Sequence, residues 1–98
     1  MPKIDVVAHI HAKPGLESAV REVLQGFLTP TRREDGCLRY DLFVDVGDAG
    51  KFTFIEEWTS TEALAAHAMS AHITAGRAKM AELLREPGWV QVLTKLVE

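Results

Sequence analysis

The stretch that decides the fold is residues 52–72, which read FTFIEEWTSTEALAAHAMSAH. In its first half, side chains at every second position share one face of a strand: Phe52, Phe54, Glu56 and Trp58. Its second half has the Ala- and Leu-rich composition of a helix. Between the two halves, Thr59-x-x-Glu62 has the form of a helix-capping box. This stretch therefore predicts a strand that runs directly into a helix.

Outward from this stretch, hydrophobic periodicity predicts the order strand, helix, strand, strand, helix, strand. The six elements are predicted at about residues 3–12, 16–29, 37–46, 52–58, 60–85 and 89–97. Pro30 should end or kink the first helix near Thr29, Ser70 marks a candidate break in the second, and residues 47–50 have hairpin composition. The order predicts a single α+β domain over residues 1–98. We expect a ferredoxin-like βαββαβ fold with an antiparallel sheet and both helices on one face.

Composition limits the classes of partner. The net charge is −3 and the lysines and arginines are scattered, so neither nucleic acid nor an anionic membrane is an expected partner. Cys37 is the only cysteine, which excludes an internal disulfide and fits a reduced cytoplasm. We find no apolar run typical of a signal peptide or a membrane anchor.

The sheet face away from the helices should be only half polar. Apolar side chains remain there after the other face is assigned to the core: Val7, Phe43, Ile55, Leu93 and Val97. A chain of 98 residues also buries a modest share of its surface when folded alone. Both observations predict an isologous homodimer that packs this face against its copy.

Short motifs occur in a consistent order within residues 4–73. They are Lys13-Pro14-Gly15, Pro30-Thr31-Arg32, Glu34-x-Gly36-Cys37-Leu38-x-Tyr40, Glu56-x-Trp58 and Glu62-Ala63-Leu64-x-x-His67-x-x-x-x-His72. This ordered set resembles the antibiotic biosynthesis monooxygenase (ABM) family, especially its quinol-monooxygenase-like members. The resemblance implies a dimeric α+β barrel with a pocket between sheet and helices in each subunit.

The resemblance also implies an activity. Members of this family oxidise phenolic aromatics to quinones with O2 and use no flavin, haem or metal, so the implied ligands are a small aromatic substrate and O2. Other members degrade haem, and some relatives isomerise small phosphorylated signals. The chain contains no asparagine, so the strand-one Asn of the haem-degrading branch is absent and His9 lies near its place. Ala71 replaces a proline common before the second histidine. A haem protein, an isomerase and a non-catalytic module that binds aromatics stay open as alternatives.

Oxygenation without a cofactor requires a base, hydrogen-bond donors and an apolar cavity. The resemblance places His72 beside the cavity, where imidazole suits the role of base or hydrogen-bond partner. Trp58 can stack on an aromatic substrate. We therefore expect His72 and Trp58 to be the catalytic pair.

Further candidates are expected to bind the substrate: Tyr40, His9, Phe54, His67 and Arg32. On an unbroken helix, His67 would point about 140° away from His72, which favours a packing role for His67. Glu56 should need a cationic partner, either Arg32 or Arg39. His9-x-His11 could present two metal ligands from one strand but lacks a third at ligand spacing, so we expect no metal.

Overall fold

In residues 3–97, which the computed structural model describes, four strands and four helices follow one another. In chain order they are β1 (Ile4–His11), α1 (Glu17–Gly26), α2 (Leu28–Arg32), β2 (Cys37–Val44), β3 (Lys51–Trp58), α3 (Thr61–Ala68), α4 (Ala71–Met80) and β4 (Trp89–Leu93). The predicted βαββαβ order is confirmed, and each predicted helix is divided into two.

The strands form one antiparallel sheet in the order β2-β3-β1-β4. Its centre is β3, the strand predicted from residues 52–58, which pairs with β1 on one side and β2 on the other. Glu56 lies opposite Val6 of β1 and Tyr40 of β2, so these three side chains share one face. The register therefore places a carboxyl group in the middle of an apolar surface.

All four helices lie on the face of the sheet that carries Glu56. Buried apolar side chains from the sheet and the helices form one core: Val6, Val20, Leu24, Phe27, Phe54, Trp58, Ile73 and Met80. Each large apolar side chain buried there stabilises the fold by about 1.5–3 kcal/mol. The predicted α+β architecture, with helices on one face, is confirmed.

The break in the first predicted helix falls earlier than Pro30. Helix α1 ends at Gly26, and Phe27 separates it from α2. Pro30 lies inside the first turn of α2, where the backbone N–H of any residue would have no partner within the helix. The observed break at Phe27 therefore lies about two residues before the end or kink expected near Thr29.

The capping residue of the helix after β3 also differs from the prediction. Ser60, and not Thr59, is the N-cap, because the Ser60 hydroxyl accepts a hydrogen bond of 3.1 Å from the backbone N–H of Ala63. A Ser cap stabilises a helix by roughly 1 kcal/mol relative to Ala. Helix α3 consequently begins at Thr61, two residues before Ala63.

The second face of the sheet carries no helix within residues 3–97 and is half apolar. Val7 and Ile55 are partly buried there, whereas Phe43, Trp89 and Leu93 are more than 40% exposed. We call these five residues the open-face patch. The predicted last strand is shorter than expected because β4 ends at Leu93, and Val97 lies beyond it. No helix among residues 3–97 has the length and hydropathy needed to cross a bilayer.

Candidate functional site

A cavity of about 480 Å3 lies between the helices and the covered face of the sheet. This volume is within the range of about 300–1,000 Å3 that is typical of ligand sites. Most of its wall is apolar, with Val6, Leu24, Phe54, Ile73 and Met80 among the lining residues. Two ionisable side chains from the stretch quoted above, Glu56 and His67, also line it. Arg77, His9 and Tyr40 are the other ionisable residues of the wall. Because the rest of the wall is apolar, the cavity can hold an aromatic molecule.

Glu56 is the buried acid of this chamber. Its side chain is on the covered face because strand alternation points it there, and the residue is only 4% exposed. The indole Nε1–H of Trp58 donates a hydrogen bond of 2.8 Å to Glu56 Oε1. Burial raises the pKa of Glu56 to about 7, and the hydrogen bond from Trp58 opposes that rise. Glu56 can therefore exchange a proton near neutral pH.

The expected ion pair between Glu56 and an arginine does not form. Arg32 Nη2 and Arg39 Nε instead contact the Asp41 carboxylate, at 3.3 and 2.7 Å. Arg39 pairs in register with Glu57, on the opposite face of the sheet from Glu56. Strand alternation thus separates the cation from the buried acid, which is why Glu56 has only an indole as its donor.

A break between α3 and α4 decides where the two helix histidines point. Helix α3 ends at Ala68, and Ser70 has the extended backbone angles φ −65° and ψ 155° before α4 begins. The Ser70 hydroxyl donates a hydrogen bond of 2.7 Å to the carbonyl of His67. The divergence of about 140° holds only for a continuous helix. Because the helix is interrupted, the ring centroids of His67 and His72 lie 6.1 Å apart.

Both imidazoles meet at Glu34. His67 Nδ1 lies 3.0 Å, and His72 Nε2 3.2 Å, from the same carboxylate oxygen of Glu34, Oε1. His72 Nε2 also lies 2.8 Å from Thr31 Oγ1. The side chains of Glu34, His67 and His72 are 18%, 8% and 22% exposed, so the group is largely shielded from solvent. We call Glu34, His67 and His72 the Glu34 triad.

The loop before β2 positions Glu34. Gly36 has a positive φ of 85°, and a Cβ at this position would lie 2.6 Å from both Ala63 Cβ and Thr59 Oγ1. Only glycine fits both the left-handed backbone and the close approach to the start of α3. The glycine therefore brings the loop against the helix segment that carries His67.

Tyr40 forms part of the cavity wall beside these groups. Its ring stacks on Phe54 at a centroid distance of 4.6 Å and meets the edge of His67 at 5.5 Å. Burial holds the pKa of the Tyr40 hydroxyl well above its usual value. Tyr40 consequently stays a neutral phenol that can donate a hydrogen bond at any physiological pH.

The candidate residues named from the sequence divide into two groups. Four of them line the cavity: Tyr40, His9, Phe54 and His67. Within residues 3–97 the other three lie behind its wall, where Trp58 contacts Glu56, His72 contacts Glu34, and Arg32 donates a hydrogen bond of 3.0 Å to the Tyr40 carbonyl.

The two histidines of β1 do not converge on a common ligand. His9 stacks on Trp89 at a centroid distance of 4.2 Å; strand alternation directs both side chains to the open face, so His9 borders the cavity only at its edge. His11 Nδ1 lies 3.2 Å from Glu86, and its Nε2 lies 3.5 Å from Asp48. The surroundings of His9 and His11 therefore differ.

Sequence reasoning did not single out Glu34, and it assigned Glu56 to a structural ion pair. The signal for Glu56 was present in the strand, since its alternation shows that Arg39 and Glu56 occupy opposite faces. The signal for Glu34 was weaker, because 33 residues separate it from His67. Only its place in the motif Glu34-x-Gly36 indicated a specific role.

Comparison with known proteins agrees with this fold and cavity. The model of the family described as "Antibiotic biosynthesis monooxygenase" matches residues 4–79. The chain belongs to this family. "Putative monooxygenase Rv0793" of Mycobacterium tuberculosis is 40% identical over 95 residues, which cover 97% of this chain and 93% of that protein. The solved structure of Rv0793 superimposes with a TM-score of 0.90, covering 98% of this chain and 97% of that one.

Two further members of the comparison extend the agreement. "Putative monooxygenase YcnE" of Bacillus subtilis is 34% identical over 80 residues, covering 82% of this chain and 84% of that protein. The crystal structure of PA3566 from Pseudomonas aeruginosa superimposes with a TM-score of 0.92 at 31% identity, covering 99% of this chain and 97% of that one. The predicted family is therefore confirmed, and the chain has the fold of monooxygenase-like proteins.

Proposed function

We propose that this ABM-family protein is a monooxygenase that oxidises a quinol-like or polyphenolic aromatic with O2 and without a cofactor. One observation carries the proposal. The ionisable carboxyl of Glu56, whose pKa is raised to about 7, lines an apolar cavity large enough for a small aromatic molecule. A base with a pKa near the working pH is the group that this reaction requires.

The cavity wall suits a flat phenolic ring. Phe54 and Tyr40 present stacked aromatic side chains, and the surrounding wall is apolar. Aromatic contacts of this kind are worth about 0.5–1.5 kcal/mol beyond the burial of area. The Tyr40 hydroxyl, which stays protonated, is a donor for a substrate oxygen.

In the proposed reaction, ionised Glu56 accepts the proton of a phenolic hydroxyl. The resulting anion transfers an electron to O2, and recombination attaches oxygen to the ring carbon that bears hydrogen. Loss of water then leaves a carbonyl group at that carbon. Overall, the CH2 group of the keto tautomer, which reacts as its enol, becomes C=O. One oxygen atom of O2 enters the product and the other leaves as water. The apolar wall excludes bulk water from the anion and the oxygen intermediate.

His67 has a supporting role in this scheme. Its Nδ1 faces Glu34, and its Nε2 has no hydrogen-bond partner among residues 3–97. With Nδ1–H donating to Glu34, the neutral ring has a lone pair on Nε2, which can accept a hydrogen bond from a substrate hydroxyl. We place Trp58 and His72 behind the wall as positioning residues, since Trp58 orients Glu56 and His72 shares Glu34 with His67.

Oxygen uptake tests the proposal directly. Purified protein treated with a chelator should accelerate O2 consumption with a panel of dihydroxynaphthalenes and anthrones, and Glu56→Gln should lose most of the acceleration. Glu57→Gln is the matched control, because Glu57 occupies the adjacent position on the opposite face and pairs with Lys3 at 3.2 Å. If the protein binds aromatic compounds of the panel but accelerates O2 consumption with none of them, it is a binding module and not an oxygenase.

The proposal includes a homodimer in the cytoplasm, where Cys37 would stay reduced. The open-face patch supports the dimer, since Phe43, Trp89 and Leu93 would otherwise leave large apolar side chains exposed to water. Light scattering at micromolar concentration should give twice the monomer mass for the wild type. The variant Ile55→Arg should give the mass of a monomer. A stable wild-type monomer would remove this part of the proposal.

A further inference from the structure

Glu34, His67 and His72 bring three metal-binding atoms to one point. His67 Nδ1, His72 Nε2 and one Glu34 carboxylate oxygen all lie within 4.8 Å of one another. Two of the separations, 3.0 and 3.2 Å, join Glu34 Oε1 to the imidazole nitrogens. The three residues come from the loop before β2 and from both sides of the helix break, so only the folded chain assembles them.

We propose that the Glu34 triad is a binding site for a divalent transition-metal ion of the Zn2+ and Co2+ class. Two imidazoles and a carboxylate are ligands that these ions take readily. With metal–ligand bonds of about 2.0–2.2 Å, tetrahedral ligands lie about 3.3–3.5 Å apart. The observed separations from Glu34 Oε1 need only a few tenths of an ångström of adjustment. Three protein ligands leave a fourth position for water or another small ligand.

The surroundings favour an ion at this point. His67 is largely buried, and its ring is held between Tyr40 at 5.5 Å and Trp58 at 4.7 Å, measured between ring centroids. Packing on both sides restricts the ring, so little side-chain freedom is lost when a metal binds. The Thr31 hydroxyl, 2.8 Å from His72 Nε2, is close enough to hydrogen-bond a metal-bound water.

The other two histidines provide an internal contrast. His9 is occupied by its stack on Trp89, and His11 lies between Asp48 and Glu86 near the surface. Within residues 3–97, no second set of three such side chains converges as the Glu34 triad does. A metal added to the protein should therefore select His67 and His72 and leave His9 and His11 unaffected.

Protons compete with the metal at this site. In the metal-free protein His67 Nδ1 donates to Glu34 Oε1 at 3.0 Å, whereas a metal requires the lone pair of that nitrogen. The hydrogen of the neutral ring must therefore move to Nε2 when the metal binds. This inference stands apart from the proposed oxidation, to which it adds no step, because it concerns binding without substrate.

Co2+ is the probe that tests the site, since its visible absorption reports coordination number and ligand type. Titration of chelator-treated protein with Co2+ should produce the intense visible bands of a four-coordinate ion, and Zn2+ should displace it. The ring resonances of His67 and His72 should shift in NMR spectra, with those of His9 and His11 unchanged. The affinity should fall at least tenfold in Glu34→Gln and in His72→Gln, and it should stay within about twofold in the control His11→Gln.

Two results would overturn the inference. One is the absence of both the visible bands and any rise in melting temperature at millimolar Co2+ and Zn2+. The other is binding that survives Glu34→Gln and His72→Gln but is lost in His11→Gln, which would place the ion beside Asp48 and Glu86. Circular dichroism of each variant, recorded before titration, identifies any variant that has lost the fold. If Glu34→Gln does not fold, His72→Gln provides the test of the site.

Discussion

Glu56 and Glu34 are two shielded glutamates on the same side of the sheet, and they differ in the rings that donate to them. Glu56 accepts a hydrogen bond of 2.8 Å from an indole, whereas Glu34 faces two imidazoles at 3.0 and 3.2 Å. An indole donates but stays neutral, while an imidazole can take up a proton and become a cation. The negative charge of Glu56 is therefore not compensated by its partner, and that of Glu34 can be.

This difference teaches that the type of donor, and not burial alone, decides what a buried carboxyl can do. A carboxyl that is desolvated beside a neutral donor has its pKa raised and can exchange protons near pH 7, as a general base must. A carboxyl between two imidazoles is suited to hold those rings or to share a metal with them. Four changes test the contrast, and they follow in order of expected size.

The largest effect should come from Glu56→Gln. It removes the base while preserving shape and an acceptor for Trp58, so the turnover of a phenolic substrate should fall by about 10²–10⁴-fold. Steady-state O2 uptake measures the loss, with Glu57→Gln as the unaffected control. Equal activity of wild type and Glu56→Gln would exclude Glu56 as the base.

The second effect is on stability: the contribution of Glu56 should decrease with rising pH, whereas that of most glutamates increases. The folded pKa of Glu56, about 7, is above its ordinary value of 4.5, so the folded state binds more protons between these values. The free energy of unfolding should then decrease by about 3 kcal/mol as the pH rises from 4.5 to 7.

The variant Glu56→Gln carries no charge at any pH and should lose this dependence. At pH 8 it should be more stable than wild type by up to about 3 kcal/mol, although it is inactive. Urea denaturation at pH 5 and pH 8 measures both proteins. The absence of any Glu56-dependent change in stability over this range would show that the carboxyl is solvated.

A smaller effect should follow Trp58→Phe. The indole hydrogen bond lowers the pKa of Glu56, so its loss should move the midpoint of the pH–rate profile upward from about 7. Leaving a buried carboxylate without its donor should also cost about 1–3 kcal/mol of stability at pH 8. Trp89→Phe, which leaves the Glu56 hydrogen bond intact, should keep the midpoint unchanged.

The smallest effect on turnover should come from Glu34→Gln. Here one hydrogen bond to His67 is weakened while the base stays in place, so turnover should fall by about tenfold or less. The pH midpoint should move slightly below 7, because the negative charge of Glu34 contributes to the raised pKa of Glu56. A loss as large as that of Glu56→Gln would reverse the roles assigned to the two glutamates.

Much of the fold could be predicted from local patterns. The alternation of Phe52, Phe54, Glu56 and Trp58 indicates the central strand, and the change of period after Trp58 indicates the helix. Ser70 was identified as the point where that helix could break. The exact site of the first helix break was not predictable in this way, because Pro30 is tolerated in a first turn and Phe27 carries no breaking signal.

The residues of the candidate site were harder to rank. Sequence reasoning named His72 and Trp58 first, and in the structure these two side chains lie behind the cavity wall. His67 was given a packing role from the geometry of a continuous helix, and the structure places it at the wall because the helix is interrupted. The angle between two side chains can be calculated from their spacing only when the helix between them is continuous.

By itself, the sequence determined the order of the elements, the family and the face on which each strand residue lies, because these follow from local periodicity and from motifs in a consistent order. Only the tertiary structure decided that Arg32 pairs with Asp41 and leaves Glu56 with the Trp58 indole, and that Glu34 meets His67 and His72. Those contacts depend on the register between strands and on the direction of the chain after Ser70. Neither is specified within a few residues of sequence, since both result from packing the whole core.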